Sequence, residues 1–194
     1  MAEFQDTLTL IKEKYPVFHF RGVEADDIAA YITQSIDYDE CWLISSDKDW
    51  DLLISDKVSR FSTVTRKETT VHNWDEHYDF EIEDYITFKC LTGDKGDNVP
   101  GVPGVGPKRA VQLMEQYGTV FDIYDACPIE GRYKYIQAVN ENAEQLLTNF
   151  ELMDLLTYCD VAIGKENTEV IDRTLEEILN DVVEKIVDKL DEML

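Results

Sequence analysis

Basic charge is what this chain has least of. Its 194 residues carry 18 lysines and arginines against 41 aspartates and glutamates, a formal net charge of -23. That shortage argues against the broad basic face of most nucleic-acid binders. A local basic patch remains open, because net charge does not locate charge. The few cations gather at Lys108 and Arg109, at Arg132 and Lys134, and at Arg60, Arg66 and Lys67. Metal-binding cysteine patterns are absent too. Cys41, Cys90, Cys127 and Cys159 stand apart with no Cys-x-x-Cys pair, which points to buried reduced thiols rather than disulfides or zinc ligands. The three histidines, His19, His72 and His77, form no ligand spacing and read as ordinary strand or loop residues. No run is long and apolar enough to cross a bilayer, and no signal peptide precedes the first helix. No repeat or low-complexity linker is visible. The expectation is a cytoplasmic protein with no membrane partner, built on one core or on one core with a small lobe.

The chain's first part alternates strands and helices. Residues 4–11 read as a short amphipathic helix, 17–20 as a short strand and 24–36 as a helix. Residues 41–44 are a compact apolar run of the kind found in buried parallel strands. A helix is expected near Lys48, carrying Trp50, Leu52 and Leu53. Strands are expected over 58–64 and 68–71. This alternation predicts a three-layer α/β unit. From Asp75 onward the pattern turns helical: a helix over 82–91, another over 108–117 with Pro107 as its first residue, and a long helical run within 131–150. The last stretch, 174–194, places Leu175, Ile178, Leu179, Val182, Val183, Ile186, Val187 and Leu190 on one stripe. Such a stripe packs on its own core or pairs with another chain.

Three acidic clusters stand out. Glu24, Asp26 and Asp27 open a helix, where backbone N–H groups favour negative charge. Capping explains any one of them but not all three. Asp47, Asp49 and Asp51 follow the 41–44 strand, at the carboxyl end where α/β sheets gather ligands. Asp47 also suits a helix N-cap. Asp94 and Asp97 lie three apart on a tight glycine-bearing loop. Carboxylates held close raise each other's pKa, and divalent cations resolve that conflict. With no histidine or cysteine beside them, oxygen donors favour Mg²⁺ or Mn²⁺ over zinc. Paired ions of this kind cut phosphodiesters.

Next comes Gly101-Val-Pro-Gly-Val-Gly106, a turn between helices. Gly101, Gly104 and Gly106 allow close approach of a phosphate. The helix beginning at Pro107 aims its positive end the same way, and Lys108 and Arg109 add charge. The turn is of the helix-hairpin-helix kind, which grips DNA backbone without reading bases. It is not a P-loop, since Gly-Lys-Ser/Thr is absent. A purely structural turn is the other reading.

Taken together, Gly22-Val-Glu-Ala-Asp-Asp-Ile-Ala-Ala-Tyr-Ile32, Ile44-Ser-Ser-Asp-Lys-Asp-Trp-Asp51, Gly93-Asp-Lys-Gly-Asp-Asn98 and the turn up to Ala110 resemble the 5′-nuclease family of flap endonucleases and 5′→3′ exonucleases, above all its phage members. The likeness implies an α/β fold: a partial three-layer parallel sheet of the PIN-like type over residues 1–80, then a helical region over 81–194 with the helix-hairpin-helix motif at 93–117. It implies a two-ion site, with Glu24, Asp47 and Asp49 serving one Mg²⁺ or Mn²⁺, helped by Asp26 and Asp27, and Asp94 and Asp97 holding the second. It implies a K⁺ ion on backbone carbonyls of the turn, at Val102 and Val105. The implied substrate is DNA with a 5′ flap or free 5′ end, met in the host cytoplasm if a phage encodes the chain. The family carries a further N-terminal third with more metal-site aspartates and a threading arch. The expectation is therefore a chain completed by an N-terminal nuclease fragment or by its own copy. Two readings compete with a nuclease: a DNA-backbone binding module that does not cut, and an acidic interaction protein joined through its last helix.

Overall fold

A computed structural model of the chain describes residues 2–193. Its helices are α1 (Ala2–Lys12), α2 (Ala25–Ser35), α3 (Tyr85–Thr92), α4 (Pro107–Tyr117), α5 (Val120–Asp125), α6 (Lys134–Glu141), α7 (Ala143–Met153), α8 (Leu155–Ile163) and α9 (Lys165–Met193). Its strands are β1 (Cys41–Ile44), β2 (Val58–Ser62), β3 (Lys67–Thr69), β4 (Gly93–Asp94) and β5 (Val99–Pro100), and single 3-10 turns cover Asp49–Leu53, Trp74–Glu76 and Ile82–Asp84. The architecture is mixed α/β and mostly helical. No helix among the described residues is long and apolar enough to cross a membrane. The backbone gathers into two compact units. One is Tyr38–Leu156; the other joins residues up to Asp37 with those from Thr157 onward.

In the larger unit β1 runs parallel to β2, in register Cys41 to Val58, and β2 runs antiparallel to β3, Arg60 opposite Thr69. Three strands thus form a mixed sheet with β1 at one edge. The expectation of a buried β1 fails: only Leu43 is buried, while Trp42 and Ile44 are 41% and 60% exposed. A short apolar run records that a strand forms, not that both its faces are covered. The expected helix near Lys48 is the tighter 3-10 turn Asp49–Leu53, whose Asp51 and Leu53 point inward. Strand β2 stops at Ser62, where the chain turns and Arg66 N–H bonds back to the Ser62 carbonyl at 2.8 Å.

The helical core of this unit centres on Leu91, Val120, Ile123, Val139 and Leu146, all essentially solvent-free. Burying side chains of this size contributes about 1.5–3 kcal/mol each. Thr119 and Asp122 close a capping box at the start of α5, and the buried Val120 N–H finds the Thr87 hydroxyl at 3.1 Å. The long run expected over 131–150 is two helices, α6 and α7. Asn142 separates them with φ -115° and ψ 22°, and its amide turns back onto the Ala138 carbonyl.

The other unit packs Ile28, Ile163, Ile171 and Leu175 around Phe18 and Phe20. The strand expected over 17–20 is absent: these residues are non-regular. Phe18 and Phe20 are half-buried and His19 is exposed, without any ladder. The helix expected over 174–194 begins earlier, at Lys165. Ile171 and Leu175 fill its core contact, whereas Leu179, Val182, Val183 and Ile186 are exposed. Leu194 and the side chains of Val187 and Leu190 lie outside the described residues.

Candidate metal centre and nucleic-acid interface

The segment after β1 folds on its own side chains. Asp47 N–H bonds the Ser45 hydroxyl at 3.1 Å, and Asp47 Oδ1 accepts from Asp49 N–H at 3.1 Å. This local bonding leads into the 3-10 turn, whose N-cap Lys48 has no side-chain cap, and Asp49 and Asp51 leave it in different directions. Asp51 goes inward and is 1% exposed. Arg60 meets it with two hydrogen bonds, Nε to Oδ1 at 2.5 Å and Nη2 to Oδ2 at 3.0 Å. Arg60 also reaches the Ser45 carbonyl and the Thr69 hydroxyl. Tyr78 donates to Asp51 Oδ2 at 2.5 Å. Burial pushes the Tyr78 phenol's pKa far up, so it stays a neutral donor. Arg60, grouped with Arg66 and Lys67 as a cluster of cations on sequence, is an interior residue.

Asp49 goes toward α3. There Lys89, 6% exposed, donates to Asp49 Oδ1 and lies 3.0 Å from Asp94 Oδ2. Asp94 stands at the end of β4, and its Oδ1 accepts from the N–H groups of Gly96 at 2.7 Å and Asp97 at 3.4 Å. Asp49, Asp94 and Asp97 each bring a carboxylate oxygen within 4.8 Å of the others, the arrangement a hard cation requires. Asp47 stays outside that group. Three carboxylates against one ammonium leave two negative charges uncompensated, which matches a divalent ion. Burial, together with Asp94 and Asp47, holds the Asp49 carboxyl above its usual pKa despite Lys89. At Asp94 burial acts upward, but Lys89 and the Gly96 N–H outweigh it and hold the carboxyl low. Burial likewise opposes charge on Lys89, yet Asp49 and Asp94 raise its pKa and keep it an ammonium.

The loop carrying Asp94 and Asp97 is held by its backbone. Strands β4 and β5 pair Gly93 with Pro100 and Asp94 with Val99. A Cβ on Gly93 would lie 2.2 Å from Gly101 N, and one on Gly101 would lie 2.2 Å from the Thr92 carbonyl oxygen, so both positions require glycine. Buried Asn149 of α7 donates to the carbonyls of Cys90 at 2.9 Å and Pro100 at 2.8 Å, tying both stems together. Lys89 is the residue at this cluster that composition and spacing did not reveal. The available signal was its place four residues after buried Tyr85, in a helix whose other sides bury Thr87, Cys90 and Leu91.

Past Gly101 the turn anchors itself through Val102 and Val105, both buried, with Val105 N–H bonded to the Val102 carbonyl at 3.0 Å. Gly104 sits at φ 78° and is exposed, as are Gly106, Lys108 and Arg109. Arg109 Nη1 donates to the Gly104 carbonyl at 2.5 Å. Helix α4 starts at Pro107 with no side-chain cap, and the Arg109 and Ala110 N–H groups bond the Gly106 carbonyl at 3.0 Å.

In the other unit Glu24 is the exposed N-cap of α2, with Asp26 and Asp27 in the first turn. Burial, then the charges of Glu24 and Asp26, push the Asp27 carboxyl's pKa up. These three stand together at the start of α2.

The family model described as "5′-3′ exonuclease, C-terminal SAM fold" matches residues 80–177. The chain belongs to that 5′-3′ exonuclease family. It is 46% identical over 178 residues to the flap endonuclease of Escherichia phage T5, a match covering 90% of this chain and 61% of that protein. Its fold superposes on the phage T5 flap endonuclease solved as a pseudo-enzyme-product complex with DNA and metal ions, with a TM-score of 0.85 and 43% identity, over 90% of this chain and 66% of that one. It superposes equally on T5 5′-exonuclease bound to zinc, with a TM-score of 0.84 and 44% identity, over 90% of this chain and 66% of that one. The chain thus spans about three-fifths of the length of that curated phage relative.

Proposed function

We propose that this chain carries most of a divalent-metal-dependent 5′-nuclease that hydrolyses DNA phosphodiesters at 5′ flaps and free 5′ ends. The observation that carries the reading is the Asp49, Asp94 and Asp97 cluster, which has more negative charge than Lys89 can balance. These three are the ligands proposed for one ion. Asp47 stands outside that group, and Glu24, Asp26 and Asp27 belong to the other unit. This regroups Asp49 with the Asp94 loop. An all-oxygen donor set suits Mg²⁺ or Mn²⁺. When bound, the ions supply charge neutralisation at the phosphate and a water of lowered pKa.

The chain's own residues do the rest. Lys89 holds Asp49 and Asp94 in place against their mutual repulsion. Gly101, Gly104 and Gly106 with Lys108 and Arg109 receive the duplex backbone at the free end of α4. K⁺ on the carbonyls of Val102 and Val105 would stiffen that turn; the Val102 oxygen, already accepting one N–H, keeps a lone pair for it. Among the described residues β1 pairs with a strand on one side only, and its other edge, with Trp42 and Ile44 exposed, is where an N-terminal nuclease fragment or a second copy would add strands. The work would take place in the cytoplasm of a cell or of a phage host. One observation favours a second reading, a DNA-binding module that does not cut: the Lys89 ammonium already occupies a cation position among the carboxylates.

The test is cleavage of a labelled 5′-flap duplex in Mg²⁺ or Mn²⁺, with and without a fragment supplying strands to pair with β1. Cutting that Asp49→Asn or Asp94→Asn abolishes supports the nuclease. Tight duplex binding with no cutting under either condition selects the binding module.

A further inference from the structure

A second feature stands beside the glycine turn. Tyr135 of α6 packs against the turn: a Cβ placed on Gly104 would lie 3.9 Å from Tyr135 Cβ. The Arg109 guanidinium covers one region of the Tyr135 ring at 4.7 Å from its centroid, while Nη1 holds the Gly104 carbonyl. Tyr133 then stacks on Tyr135, with centroids 5.8 Å apart and planes 20° from parallel. The result is an ordered array of cation, ring and ring. Tyr133 is 69% exposed although Tyr135 shields one of its sides, so its outer face is open.

Around it lie Arg132 and Lys134, both exposed and without an ion pair among the described residues. The array borders a groove of about 500 Å³ shared with Gln116, Tyr117 and Glu130. Glu130 adds a negative charge to that lining, and the flanking cations exceed it. In a chain of net charge -23, two uncommitted cations beside an open aromatic face form a local exception.

We propose that Tyr133 is a stacking platform for an unpaired nucleobase of the DNA held at the adjacent turn, with Arg132 and Lys134 against the phosphates that flank that base. The inference rests on the DNA-binding reading of the turn and adds a preference to it. Duplex base faces are hidden inside the helix, so an open tyrosine face selects a single-stranded or frayed nucleotide. Every base has such a face, so the contact is tolerant of sequence. The platform would favour junctions and tails over continuous duplex.

Anisotropy with a blunt duplex and with duplexes bearing a three-nucleotide tail on either strand end tests this in the full chain, with EDTA present to prevent cutting. Wild type should bind one tailed duplex about tenfold more tightly than the blunt one. Tyr133→Ala should abolish that difference and leave blunt affinity unchanged, and Tyr133→Phe should keep it. The double change Arg132→Ala with Lys134→Ala should lower the log–log salt slope for the tailed duplex by about 1–2. Lys108→Ala should weaken every duplex alike. Equal wild-type affinity for blunt and tailed DNA, with Lys108→Ala still weakening both, overturns the platform and leaves the turn standing. Loss of blunt binding in Tyr133→Ala also overturns it. No duplex binding by folded wild type overturns the turn reading and the platform together.

Discussion

Asp49 and Asp51 are two residues apart on one 3-10 turn, and they have opposite fates. Asp51 is sealed inside with Arg60, Tyr78 and Thr69, every charge matched. Asp49 is half-buried in a group where carboxylates outnumber the ammonium three to one. The first arrangement is complete without a ligand, and the second is not. Proximity of acidic residues in sequence therefore does not define a site. The balance of cations that the fold delivers to each carboxylate does.

The largest break in this comparison should come from Arg60→Met. It strands Asp51 without its cation in the interior and should cost about 3–5 kcal/mol of stability, read as a lowered urea midpoint at unchanged slope. The same loss from a surface change such as Arg66→Met would contradict the contrast. Next in size is the Asp94→Asn/Asp97→Asn pair. Mn²⁺ affinity should fall by at least the ~10–100-fold that even supporting partners of a metal site cost. Calorimetry measures it, and equal binding by wild type removes the cluster from consideration.

Lys89→Met should separate the two regions more finely. Losing charge-assisted hydrogen bonds should destabilise the metal-free protein by about 1–3 kcal/mol. It should also enlarge the rise in Tm on adding Mn²⁺, since the ion then meets three unbalanced carboxylates. A smaller rise than in wild type would show that Lys89 supports the ion rather than substituting for it.

The smallest effect concerns pH, in EDTA. Asp94 titrates below its ordinary value of 3.8, so its share of stability is complete above that value and is lost as pH falls through the lowered one. Asp49 titrates above 3.8, so its share is present below that value and is lost as pH rises through the raised one. Stability curves over about pH 3–7 should therefore bend in opposite senses for Asp94→Asn and Asp49→Asn, by a few tenths of a kcal/mol because both groups are partly exposed. Matching bends would mean the two carboxylates share one environment.

The acidic residues and the glycine turn were legible in sequence because their types and spacing are local. Asp94 and Asp97 lie three apart between glycines, and Gly101 to Arg109 is one uninterrupted signal. What was not legible depends on partners brought from afar. Asp51 looks like its neighbours until Arg60 and Tyr78 arrive from other elements. Lys89 reads as an ordinary helix lysine until the fold places Asp49 beside it. The same limit explains β1: its residues favour a strand, but covering Trp42 and Ile44 requires groups the strand itself does not contain. At 17–20 the expected strand is absent: Phe18 and Phe20 find apolar neighbours, but pairing needs a second backbone.

Gly93 and Gly101 sit back to back, each at a spacing that excludes even a methyl group. Between them Lys95, Gly96, Asp97 and Asn98 face solvent. The acidic loop is thus a cassette whose two ends are fixed by backbone packing, while Asn98 is constrained by its φ of 58° and Asp94 and Asp97 by their carboxylates. Replacing either end should cost the fold, whereas replacing Asp97 should cost the cluster its charge and leave the frame standing.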